Sequence, residues 1–146
     1  MSTSKHRSDK DPVMASIGIT GFESPASEYN TLPLSLDKLL IHSPSSTWFA
    51  RVEGSSMEGV GLFDGDIAIV CRQTKVVNGD VIVVTLNGEF LVKIIDTTNR
   101  RLLSAPIYGH DNYPPLTISE CDSLSHEGVV VSSIRFHRKN DSSCRR

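Results

Sequence analysis

From Thr47 onward the apolar positions fall in short runs with a period near two, and no helical period persists for four turns. Thr47–Val52, Ile67–Cys71, Asp80–Leu86, Glu89–Ile95 and Gly128–Phe136 are rich in β-branched and aromatic residues, the types that fit a pleated and half-buried surface. The turn dipeptides Asp64-Gly65, Asn78-Gly79 and Asn87-Gly88 separate them. The last pair joins Val-Ile-Val-Val-Thr-Leu to Glu-Phe-Leu-Val-Lys-Ile-Ile and predicts a two-residue hairpin of type I′. Upstream the pattern thins. Residues 1–31 are rich in Ser, Thr, Asp, Lys and Pro, with Val13, Met14, Ile17, Ile19 and Phe22 widely scattered. Such a stretch buries too little surface to offset its ordering entropy, so a flexible N-terminal arm is expected there. A short helical turn is predicted at Leu36–Leu40 with Ser35 as its N-cap. The expected architecture is mainly β: an arm over 1–31, a compact, strongly twisted antiparallel β domain over 32–138, and a polar C-terminal tail over 139–146.

Composition narrows the function classes. The 146 residues are 38% hydrophobic and 22% charged, an ordinary balance for a globular chain with a real core. Fifteen basic and seventeen acidic side chains give a formal charge of -2. Bulk charge therefore argues against non-specific nucleic-acid binding, and sequence-specific DNA binding is not expected. The basic residues after His137 read as a solvated terminus. Cys71, Cys121 and Cys144 form no C-x-x-C pair and the five histidines are scattered, so no metal site and no cofactor are expected. The polar N-terminus predicts neither a secretory signal nor an anchor, and no apolar run approaches the ~18 residues of a membrane span. With unpaired thiols, the expected location is the cytoplasm, away from membranes.

Two residues carry candidate chemistry. Period two puts Leu91, Lys93 and Ile95 on one face of the predicted hairpin strand and Phe90, Val92 and Ile94 on the other. With both faces apolar, Lys93 is expected to be drawn partly out of water, which disfavours its ammonium form. Neutrality near pH 7 requires a large downward shift, of the kind that buried lysines attain. Most strand lysines, however, snorkel to solvent or guard a sheet edge, and the local pattern alone favours that reading. Ser56 lies in Gly54-Ser55-Ser56-Met57-Glu58-Gly59, a glycine-flanked turn leaving a strand, where main-chain amides can converge on an anion. Plain Gly/Ser loops share that look. The segment is neither the Gly-x-Ser-x-Gly elbow nor a phosphate loop, and no histidine lies near it in sequence. A Ser–Lys pair is a known variant of the triad logic.

Gly54-Ser55-Ser56-Met57 followed by Leu62-Phe63-Asp64-Gly65-Asp66-Ile67-Ala68-Ile69-Val70 resembles the nucleophile segment of the LexA/UmuD family of self-cleaving serine peptidases. Asn78-Gly79-Asp80-Val81 and Gly88-Glu89-Phe90-Leu91-Val92-Lys93 resemble that family's lysine hairpin, and the Ser56-to-Lys93 separation agrees with the family spacing. Gly21-Phe22-Glu23-Ser24-Pro25, Leu36-Asp37-Lys38-Leu39-Leu40-Ile41 and Pro115-Leu116-Thr117-Ile118 are more similar to the UmuD branch, the manager subunits of error-prone polymerase V. The resemblance covers about residues 17–138. It implies Ser56 as nucleophile, Lys93 as general base, the Ser56 and Met57 amides as oxyanion donors, and Thr20–Gly21 as the bond cut. It also implies a homodimer, stimulation by a RecA filament on single-stranded DNA, and a shortened product that serves a UmuC-like Y-family DNA polymerase in the SOS response. Where the family usually carries Ala or Cys before the bond, this chain has Thr20, a stiffer β-branched residue that implies slower attack.

Three other readings are weighed by what each requires. A LexA-like repressor needs a helix-turn-helix domain, and the roughly 31 residues ahead of the core are too few. A type I signal peptidase shares the serine and lysine elements but needs a membrane anchor. A non-cleaving or slowly cleaving polymerase-docking dimer of the same fold has no such requirement and stands as the alternative.

Overall fold

In the computed structural model, residues 35–138 are described; the expected arm and the expected tail lie outside them. The chain divides into two units, Met1–His42 and Ser43–Arg146. The described part of the first is a single short helix, α1 (Leu36–Leu40), which starts as expected at Ser35. The Ser35 side chain accepts the Lys38 amide, satisfying one of the helix's unpaired donors.

The second unit is one seven-stranded antiparallel sheet. In chain order its strands are β1 (Thr47–Arg51), β2 (Ile67–Cys71), β3 (Val81–Leu86), β4 (Glu89–Asp96), β5 (Arg101–Leu103), β6 (Leu116–Thr117) and β7 (Leu124–Ile134). Across the sheet they run β1-β2-β7-β3-β4-β5-β6. Four of the five expected strands appear within a residue of their expected ends. The fifth, β7, begins at Leu124 rather than Gly128 and stops at Ile134 rather than Phe136. Its added start, Leu124-Ser125-His126-Glu127, is mostly polar and lies beyond a register shift against β3 between Val83 and Val84. The β3–β4 turn is type I′, with φ of 51° at Asn87 and 87° at Gly88. The Asn87 side chain then ties the turn to the start of β7, accepting the Ser123 amide at 2.9 Å and donating to Asp122 at 3.1 Å.

Period two holds through the centre of the sheet, and each face carries a core. Val83 packs with Val52, Met57, Leu62, Ala68 and Val70 on one face, where Val81, Val92 and Ile94 join them. Ile82 and Val84 pack with Leu102 and Val129 on the other, with Leu91 and Ile95 against them. Both sides of β4 are therefore apolar, as its alternation predicts. The segment that leads into β2 closes one end of the first core. Val52 and Asp66 are joined by a backbone bond, Gly65 donates back to the Val52 carbonyl, and the Asp64 carboxylate accepts the Gly54 amide.

Asp66, 2% exposed, is the one buried charged residue among those described. The Arg135 guanidinium grips it with two bonds of 2.8 Å, while a third reaches the Gly61 carbonyl. Arg135 also lies 4.3 Å over the Phe63 ring. This pairing, foremost the hydrogen bonds from Arg135, holds the Asp66 carboxyl below its ordinary 3.8 against the opposing effect of burial. A carboxyl depressed in the folded state contributes stability that is present above its unfolded value and is lost as pH falls through its folded one. Arg135→Met is therefore expected to lower the thermal unfolding midpoint at pH 7. Its deficit relative to the parent chain should narrow on acidification below 3.8, as thermal melts across pH will show; a deficit independent of pH would contradict this account.

Candidate active site

The loop between β1 and β2 carries Ser56, and a single residue beyond β5 holds that loop in place. The Ala105 amide donates to the Ser56 carbonyl at 2.7 Å, and the Gly59 amide donates back to the Ala105 carbonyl. This approach needs a glycine: a Cβ at position 59 would lie 2.6 Å from the Ala105 oxygen, too close for any side chain. Met57, 2% exposed, plugs the loop into the first core, while Ser55 Oγ is 3.0 Å from the Tyr113 hydroxyl. Ser56 itself is half-buried. Among the described residues neither the Ser56 nor the Met57 amide has a hydrogen-bond acceptor.

Lys93 comes from β4. Among the described residues β5 pairs with β4 only at Ile94–Asp96, which leaves Glu89–Lys93 without a strand partner on that side. The pairing of Ile94 with Leu103 continues in register to bring Ser104 opposite Lys93, whose Nζ donates to the Ser104 Oγ at 2.6 Å. The ring of Tyr113 lies 5.9 Å from the same Nζ. The lysine thus turns inward to a hydroxyl and an aromatic face rather than snorkelling into open solvent. Burial pushes its pKa down, and the negative charge of Glu89 on the same strand opposes that shift.

Both residues line one cavity of about 560 Å³. Its walls are the free edge Glu89–Lys93, the end of β1 with Trp48, Ala50 and Arg51, and the loop residues Val52, Glu53, Ser56 and Met57. A serine hydroxyl, a partly desolvated amine and, among the described residues, two amides without an acceptor are groups that acyl transfer can use. Ser56, Met57 and Lys93 all line this cavity; Thr20 and Gly21 lie outside the described residues. Ser104, Ala105 and Tyr113 were not singled out from the sequence. The signal for Ser104 and Ala105 is the β4–β5 register, and β5 is too short to announce itself by periodicity.

Residues 12–131 match the model of the Peptidase S24-like family. The chain is 36% identical to Protein SamA of Salmonella typhimurium over 121 residues, covering 83% of this chain and 82% of that protein. It is 41% identical to Protein MucA of Escherichia coli over 118 residues, 80% of this chain and 79% of that one. It is 33% identical to the LexA repressor of Hahella chejuensis over 109 residues, covering 74% of this chain but only 51% of the repressor.

The two opposing influences on Lys93 can be separated. Glu89→Gln removes the charge that favours the ammonium and leaves burial in place, so the Lys93 titration should move further down. Nitrogen NMR of the lysine Nζ groups reads this directly, and an unchanged or rising Lys93 pKa in the variant would refute it.

Proposed function

The chain belongs to the Peptidase S24-like family, and from that premise we propose that it cleaves itself between Thr20 and Gly21 with Ser56 as nucleophile and Lys93 as general base. The observation that carries the reading is that these two residues line one cavity, the lysine with its pKa lowered by burial. Neutral Lys93 takes the Ser56 proton as Oγ attacks the Thr20 carbonyl carbon. The oxyanion is held by the Ser56 and Met57 amides. Collapse breaks the Thr20–Gly21 bond, and the new Gly21 amine leaves with the proton from Lys93. Water, deprotonated by the same lysine, then hydrolyses the Ser56 ester and frees the Thr20 carboxylate.

Residues 20 to 35 span on the order of 50 Å when extended, ample reach for the bond to meet a site on its own or a partner chain. The free edge of β4 offers main-chain groups to an extended segment, so affinity for a separate substrate is unnecessary; tethering raises the effective concentration instead. Similarity to SamA, MucA and LexA supports an SOS-related role in the cytoplasm. In that role the chain is a homodimer, a RecA filament on single-stranded DNA promotes cleavage by favouring the docked arm, and the shortened form serves a UmuC-like polymerase in translesion synthesis.

Mass spectrometry of the purified protein, incubated at mildly alkaline pH, tests the core of this. The expected result is loss of residues 1–20 at a rate that rises as Lys93 deprotonates. Ser56→Ala and Lys93→Ala should each slow it by more than about 100-fold. A chain that stays intact even with RecA, single-stranded DNA and nucleotide present would overturn the reading in favour of a docking dimer.

A further inference from the structure

We propose that Ser104 is the positioning residue of this site, the group that aims Lys93 and steadies the ammonium formed when it takes the Ser56 proton; this rests on the peptidase reading above. Two adjacent residues fix both partners of the dyad. Ala105 holds the Ser56 loop through its backbone, and Ser104 holds Lys93 Nζ at 2.6 Å through its hydroxyl. A nucleophile with a base, and a third group orienting that base, is the recurring logic of such sites. Here the third group is a neutral hydroxyl, where an aspartate orients the histidine of a triad.

The charged neighbours of Lys93 do not take that place. Glu89 on its own strand is exposed and acts on it only through space. Arg51 and Glu53 line the same cavity from the end of β1, both exposed. Tyr113 meets the amine with its ring face while its hydroxyl is engaged by Ser55. Among the described residues no carboxylate pairs with Lys93. A salt-bridged lysine would stay charged; one held by a hydroxyl can lose its proton and still be oriented. After Lys93 takes the Ser56 proton, one of its three N–H bonds remains on Ser104 Oγ, so the acceptor stabilises the charge that develops in the transition state.

Removing this hydroxyl has a signature that simple destabilisation lacks. Loss of an acceptor for the ammonium lowers the Lys93 pKa, while loss of aim and of charge stabilisation lowers the rate. In Ser104→Ala the pH profile of self-cleavage should reach a plateau at least ~10-fold lower, with its midpoint moved to lower pH. Ser104→Thr, which keeps the hydroxyl, should restore both. A variant that was merely less well folded would lose rate without shifting the midpoint. A Ser104→Ala profile that matches the parent, or a midpoint that moves up, overturns the proposal while Ser56→Ala and Lys93→Ala still carry the peptidase reading. Where the parent chain is not cleaved, nitrogen NMR titration of Lys93 decides alone: a lower pKa in Ser104→Ala supports the coupling, and an unchanged one ends it.

Discussion

The candidate site depends on a reciprocal pair of backbone hydrogen bonds. Ala105 both donates to Ser56 and accepts from Gly59, so a loop from one side of the sheet is fastened to the end of a strand on the other. Besides that tie the Ser56 loop is anchored by Met57 in the core, by the Asp64–Gly54 bond behind it and by Ser55 Oγ against the Tyr113 hydroxyl. The tie exists because position 59 lacks a Cβ, which makes a residue three positions from the serine a steric condition for its placement.

The second constraint is electrostatic. Lys93 sits on the face of Leu91 and Ile95, with Val92 and Ile94 on the reverse, and is itself only partly buried. In the proposed mechanism desolvation alone would help neutralise the amine, but an amine free to rotate is a poor base. The local arrangement meets both needs. Burial lowers the pKa, Glu89 limits how far, and a hydroxyl fixes the direction.

How much of this was legible in the sequence varied with the range of the cause. Local signals were read correctly: Ser35 caps its helix, Asn87-Gly88 makes the type I′ turn, and alternation in β4 placed Lys93 between apolar neighbours. Strand β5 has three residues and β6 has two, too few for any period to register, so they were missed. The polar start of β7 was missed because a register shift, not a side-chain pattern, keeps it in the sheet. Ser56 gained meaning only from its spacing to Lys93 within a family likeness. Ser104 and Ala105 required knowing which residue stands opposite Lys93, a fact of tertiary pairing.

That last distinction bears on how such a site is organised. A serine and a lysine that are far apart in sequence can be recognised from a likeness, because a nucleophile and its base are chemically constrained. The parts that bring them together are constrained only by geometry: a carbonyl that must be approached, a hydroxyl of the right reach, a strand that must stop early enough to leave an edge open. Were β5 to pair along the whole of β4, Glu89–Lys93 would be covered and the edge unavailable to an extended peptide. Were β5 absent, nothing would hold Ser104 and Ala105 against the lysine and the serine loop. The brevity of β5, three residues that pair with Ile94–Asp96 and then release the chain, is therefore what lets one segment support the site without filling it.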